Sequence, residues 1–160
     1  MKAVRRTRRG EAATQVILSA FRANGLLLSA GDAVAAAEGL TSTRWQVLGA
    51  VSLADRPLTV PQIARRMGLT RQSVHATVKR LVGGGLVELL PNEDHRRSPL
   101  VRLTEAGRAR YASIDRRQVA WVNELAAGMR GSDLEIAAGV LGELSRRLES
   151  GNARRKEESR

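Results

Sequence analysis

Cysteine is absent from all 160 residues. That removes disulfides, thiolate catalysis, Cys-based zinc sites and thiol redox sensing. Aromatic residues are scarce as well: two Trp, one Tyr and one Phe. A core must then be built from Ala, Leu and Val, which favours close helix packing over a β-sandwich rich in aromatic and β-branched residues. Histidine occurs only at His75 and His95. No His/Asp/Glu group has metal-ligand spacing, so neither a metal nor another cofactor is expected. No apolar run approaches the ~18 residues of a transmembrane helix. The basic start MKAVRRTRRG is not followed directly by the apolar segment of a secretory signal, and a cytoplasmic location is expected. Catalytic signatures are missing too. GGGLVE follows a helical pattern and enters a strand, the wrong order for a phosphate-cradling loop, and no nucleophile motif is present. An enzyme is not expected.

What is present is positive charge. The formal net charge is +11, on a chain with 42% hydrophobic and 27% charged residues. The composition is that of a folded globular chain, and the charge points to a polyanionic partner, nucleic acid or an anionic surface.

Hydrophobic periodicity and caps organise the chain as mostly α with a small β-wing. Residues 1–10 read as a flexible basic arm, with Arg5, Arg6, Arg8 and Arg9 and no acid. Helical spacing of Val16, Ile17, Ala20, Phe21, Leu27, Leu28 and Val34 predicts an N-terminal helix over 11–39, ended by Gly39. Thr43-x-x-Gln46 is a capping-box pattern for a second helix, stopped by Asp55-Arg56-Pro57. Thr59-x-x-Gln62, with Pro61 in the first turn, opens a third that ends at Gly68. Thr70 caps a fourth, running to about Val82. Gly83 to Gly85 supply a left-handed turn, and LVELL and PLVRL predict two strands around a polar loop. Thr104 caps a fifth helix and Ser132 a sixth, whose Leu134, Leu141 and Leu148 fall at heptad spacing. The domain reading is 40–104 as a winged helix-turn-helix, 105–150 as C-terminal helices and 151–160 as a fraying tail.

Ala64, Gly68 and Val74 carry the helix-turn-helix signal. A small residue lets the second helix cross the first, glycine allows the sharp turn, and valine locks the pair. Ile63, Met67, Leu69 and Val78 complete the expected small core. With Val74, Val78 and Leu81 inward, the outward residues are Arg71, Gln72, His75, Ala76, Lys79 and Arg80. Such a helix reads the major groove with its first residues. Arg71 and Gln72 match guanine or adenine edges, and Ser73 and the backbone near Thr70 suit a phosphate. The loop holding His95, Arg96 and Arg97 would lie along the adjacent minor groove, whose negative potential attracts arginine. Asp94 is placed to brace one of these arginines.

From about Leu40 to Gly107 the chain resembles the MarR family of winged-helix transcriptional regulators. The resemblance rests on TSTRWQVL, IARRMGLTRQSVHATVKRL, GLVE and DHRRSPLVRLTEAG, with the wing followed by LT-x-x-G its most specific element. Long flanking helices extend it over nearly the whole chain. It implies a homodimer binding a pseudo-palindromic operator, usually as a repressor, released by a small phenolic or anionic ligand. Family wings usually read Asp-x-Arg. Counted back from Leu103-Thr104, the arginine is Arg97, but His95 holds the aspartate position and Asp94 lies one residue earlier. The triple glycine also replaces longer side chains.

The resemblance further implies that the first, fifth and sixth helices interleave between subunits, with an effector cleft beside them. Arg22, Asn24, Arg44 and Trp45 are the candidate lining residues. The alternative function is architectural: a basic winged helix coating DNA with little sequence preference. A winged helix used only for protein contacts is a third.

Overall fold

A computed structural model describes residues 5–157. The fold is mostly helical, in the order α1 (Arg8–Ala36), α2 (Ser42–Ser52), β1 (Leu58–Thr59), α3 (Val60–Met67), α4 (Arg71–Gly83), β2 (Val87–Leu90), β3 (Leu100–Leu103), α5 (Glu105–Leu125) and α6 (Gly131–Glu157). The chain divides into two compact units, one running to Val119 and the other beginning at Ala120. The first contains everything from α1 through most of α5. The second contains the end of α5 and α6.

Polar caps set the helix starts of the first unit. Thr7 accepts from the Gly10 N–H at 3.0 Å, so α1 begins at Arg8, inside the stretch expected as a flexible arm; Lys2 lies outside the described residues. Helix α2 is capped by Thr41 rather than Thr43, because Asp32 at the end of α1 accepts from the Ser42 N–H at 2.6 Å and draws the helix start forward. Gly31 is required at this corner: a Cβ there would lie 2.9 Å from Ser42 Oγ. At α3 the Thr59 N–H donates to Gln62 Oε1 at 2.7 Å, as the capping pattern predicts. Gly68 ends α3 at φ 64°, a left-handed conformation that favours glycine. Thr70 caps α4 through the Ser73 N–H. Of Gly83, Gly84 and Gly85 only Gly85 takes positive φ.

β2 and β3 form the expected antiparallel wing, with Val87 opposite Leu103 and Leu90 opposite Leu100. A third strand was not expected. β1 pairs with β3 on its other side, giving the order β1-β3-β2. Two residues carry no period to read, and Leu58 is held there by burial beneath the helices.

The core lies where α2, α3 and α4 meet the sheet. Val47, Leu48, Ile63, Val74, Leu81, Val87, Val101 and Ile114 are its fully buried large side chains. Leu69, expected in this core, is instead exposed after the turn. The α1–α2 corner is tied to α5 by Glu38, which accepts from Ser113 Oγ at 2.6 Å and pairs with Arg110. Tyr111 packs over Gly49. Burial, then the Asp115 carboxylate, raise its phenol above the ordinary tyrosine value.

In the second unit, α6 continues to Glu157 where fraying was expected from 151. Ser132 lies in its first turn, not at its cap, and Arg130 closes that turn on Asp133 at 2.9 Å.

Candidate nucleic-acid interface

Val74, Thr77, Val78 and Leu81 are the buried residues of α4. Thr77 is satisfied by donating to the Ser73 carbonyl at 3.0 Å. With one stripe buried, the ~100° step of an α-helix sends Gln72, Ala76 and Lys79 outward as a ridge. Arg71, Gln72, Ser73, His75, Ala76, Lys79 and Arg80 are all exposed, as is the capping Thr70. The helix is thus presented by its own core contacts, with its first turn free at one end.

The wing loop stands beside this helix. A cavity of about 680 Å³ separates them, lined by Arg71, Gln72, His75 and Lys79 from α4 and by Arg97 and Ser98 from the wing. Its floor is apolar, formed by residues such as Val60, Val78 and Leu89. A neighbouring cavity of about 500 Å³ also touches Arg71 and Arg97 and adds Arg65 and His95. Arg71 and Arg97 therefore face the same gap from opposite walls. Among the described residues no carboxylate comes within ion-pair reach of Arg71, Lys79, Arg96 or Arg97. Like charges held together without counterions are costly unless an anion joins them.

The bracing expected of Asp94 is not made, since its carboxylate pairs with no arginine among the described residues. Asn92 organises the wing instead. Its Nδ2 donates to the Ser98 carbonyl at 2.8 Å, its Oδ1 accepts from the Asp94 N–H at 3.2 Å, and its carbonyl accepts from the His95 N–H. Sequence reasoning passed over Asn92, although Pro91-Asn92 at a loop start is a recognisable turn signal.

The four candidate effector residues do not share one environment. Arg22 and Asn24 are exposed on α1. Trp45 is half-buried and packs against the core. Arg44 faces α4 instead, lining a cavity of about 380 Å³ with Asp32, Ser73 and Arg80. Among the described residues no group of three His, Asp or Glu side chains could hold a metal ion. No described helix is long and apolar enough to cross a membrane.

Comparison with known proteins bears on the same segment. The profile of the MarR family matches residues 38–98. An uncharacterized protein of Mycobacterium tuberculosis is 49% identical over 112 residues, covering 70% of this chain and 77% of that protein. BadR of Rhodopseudomonas palustris, a transcriptional activatory protein, is 34% identical over 103 residues, 61% of this chain and 57% of BadR. Among the solved structures that share the fold, two at 22% identity hold DNA or a ligand. One is the Mycobacterium tuberculosis regulator MOSR in complex with DNA, with TM-score 0.70 over 84% of this chain and 96% of that one. The other is CouR of Rhodococcus jostii RHA1 bound to p-coumaroyl-CoA, with TM-score 0.70 over 78% of this chain and 87% of CouR. The family match runs from the corner before α2, through the outward-facing helix and into the wing, and the chain belongs to the MarR family of transcriptional regulators.

Proposed function

We propose that this protein is a sequence-specific regulator of the cytoplasm that binds double-stranded DNA as a homodimer on a pseudo-palindromic operator and represses transcription. The observation that carries the proposal is the outward ridge of α4 with Arg71 and Arg97 facing one gap beside it. The ridge enters a major groove, with Arg71 and Gln72 at base edges. Thr70, Ser73 and Arg80 meet the flanking backbone. The wing lays Arg96 and Arg97, with His95, along the adjacent minor groove.

Dimerisation is supported by apolar side chains left exposed in the single chain. On α1 these are Ile17, Leu18, Phe21, Leu26 and Leu27. On α6 they are Leu134, Ile136, Val140, Leu141 and Leu148. Faces this apolar are interaction surfaces rather than solvent-facing ones. Two subunits place two recognition helices about one DNA turn, ~34 Å, apart. Release by a small aromatic or anionic ligand is part of the same proposal. Its support is family membership and the p-coumaroyl-CoA bound by a protein of the same fold.

The test is selection of bound fragments from genomic or random DNA, followed by affinity for the selected duplex and a scrambled one at matched salt. Preference of about a thousandfold or more is expected. Equal affinities would establish the architectural alternative, which the +11 charge favours. Repeating the selection with aromatic acids present tests ligand release.

A further inference from the structure

Helix α4 is flanked on both sides. On one side lies the gap it shares with the wing. On the other lies the cavity of about 380 Å³ between α4 and the start of α2. The spacing of the residues shows that these sides are distinct. Ser73, Ala76, Thr77 and Arg80 recur at intervals of three and four and line the α2 side. Arg71, His75, Val78 and Val82 recur likewise and line the wing side. The ridge of Gln72, Ala76 and Lys79 runs between them.

The two cavities also differ in chemistry. The wing-side cavity has an apolar floor. In the α2-side cavity Ala76 is the one aliphatic lining residue, and the others are hydroxyl, guanidinium or carboxylate side chains. Small aromatic ligands seek mostly apolar pockets, so this lining suits an oxyanion. Arg44 and Arg80 make no ion pair among the described residues. The single carboxylate present, Asp32, is engaged by the Ser42 N–H at 2.6 Å. Two guanidiniums against one carboxylate leave the cavity net positive. Its walls are also fixed in place, by the Gly31–Ser42 contact at the corner and by Thr77 bonded to the Ser73 carbonyl.

A helix ridge seated in a major groove has a phosphodiester backbone on each side. The wing serves one. We propose that Arg44 and Arg80 clamp a phosphate of the other strand, so that the duplex is gripped from both sides of α4. Thr43 and Ser73 supply neutral hydroxyl donors to the same phosphate. Arg44 thereby serves DNA positioning and not effector binding. This clamp rests on the DNA-binding reading above, and its test separates the two.

The measurement uses the full chain and two duplexes, one recovered by selection from random DNA and one scrambled. Arg44→Ala and Arg80→Ala are each expected to weaken both duplexes by the same factor, roughly three- to tenfold. The slope of log affinity against log salt should fall by about 0.9 per protomer for each phosphate that is no longer neutralised. The selected sequence should not change. Arg44→Lys and Arg80→Lys should retain most of the salt slope. A wild-type measurement does not depend on variant folding: a neutral methylphosphonate on the strand away from the wing should weaken binding at one or two positions. If the Ala variants keep wild-type affinity and slope while Gln72→Ala still alters base preference, the clamp is wrong and the regulator reading stands. Affinity loss confined to one base pair would make these residues base readers and overturn the clamp. An Arg44→Ala protein that binds DNA normally but no longer responds to an aromatic acid would return Arg44 to the effector site. Wild-type protein that binds no DNA would overturn both.

Discussion

Gly107→Ala should damage this fold more than any conservative core change. A Cβ at Gly107 would stand 1.9 Å from the Leu86 carbonyl oxygen, more than an ångström inside the 3.0 Å limit below which real Cβ atoms are essentially never found. The obstacle is backbone, not the end of a flexible side chain, so the chain itself must move. That carbonyl is already in use: it accepts from the Thr104 N–H at 3.1 Å. The Thr104 hydroxyl donates to the Gly85 carbonyl at 2.7 Å and accepts from the Gly107 N–H at 3.0 Å. Leu86 in turn donates to the Leu81 carbonyl at the end of α4. One added methyl therefore strains the knot joining α4, β2 and α5. Overpacking costs about 1–3 kcal/mol and one or two hydrogen bonds about 1 kcal/mol each. The total is about 2–5 kcal/mol, against a domain stability of about 5–15 kcal/mol. At about 2–4 °C per kcal/mol for a chain of this size, the melting temperature should drop by about 4–20 °C. Thermal unfolding followed by circular dichroism reads this directly. Gly83→Ala is the control: nothing lies within 4 Å of its Cβ position and its φ is not positive, so helix propensity alone predicts slight stabilisation. A Gly107→Ala protein melting within about 2 °C of wild type would refute the steric account.

Gln72→Ala should relax base preference at one position of each half-site, costing about 1–3 kcal/mol on the preferred base pair; an unchanged selection profile would remove α4 from the groove. Arg97→Ala should weaken binding most where the flanks are A·T-rich, because a narrow minor groove has the most negative potential; the check is affinity for duplexes differing only in flank composition. Phe21→Asp places a carboxylate on the exposed apolar face of α1, where Phe21 is 72% exposed in the single chain; sedimentation should show a shift toward monomer. The Glu143 carboxyl is held below its ordinary value, first by its hydrogen bond from Arg147 and then by the charge of Arg146. A depressed carboxylate stabilises the folded chain above the unfolded pKa and loses that contribution as pH falls through the folded one. Wild type should therefore melt slightly above Glu143→Gln at neutral pH, and the difference should vanish in strong acid.

Much of the winged core was legible because its signals are local. Gly68 declares a left-handed turn, Thr59 sits three residues before the Gln62 side chain that accepts from it, Thr70 sits three residues before the N–H it caps, and the period of Val74, Val78 and Leu81 declares the buried side of α4. LT-x-x-G was legible for the same reason, since Thr104 and Gly107 meet within one turn. Features that depend on distant partners were not. β1 exists because β3, forty residues on, offers a free edge. The start of α2 depends on Asp32, ten residues back on another helix, which is why Thr41 caps it and Thr43 does not. Asn92 braces the wing by reaching across to Ser98, a contact with no periodic signature. Arg44 gave a side-chain type but no direction, and its position opposite Arg80 follows only from the packing of α2 against α4. The length of α6 was missed because residues 151–157 carry almost no apolar signal, although exposed pairs such as Glu143 with Arg147 support a helix in water.

The excess of arginine makes specificity a matter of placement. A net +11 chain binds any duplex through counterion release, which is blind to sequence. Phosphate contacts fix orientation, and base contacts carry the information. On the proposed reading, the exposed side of α4 offers few long donor side chains to the groove, Arg71, Gln72 and Lys79 among them, so few base pairs per half-site can be read directly. On the same reading, the remaining discrimination comes from duplex shape, sensed by the wing arginines through groove width. A reader with few base contacts needs its helix held at one angle, because a small rotation would exchange one base pair for the next. The hydrogen-bonded knot at Gly107 ties β2 and α5 to the end of α4, and the Asp32–Ser42 bond fixes the start of α2 against α1. Placement of the ridge is therefore set by contacts remote from any base, and Gly31 and Gly107 stand where two of those contacts are closest.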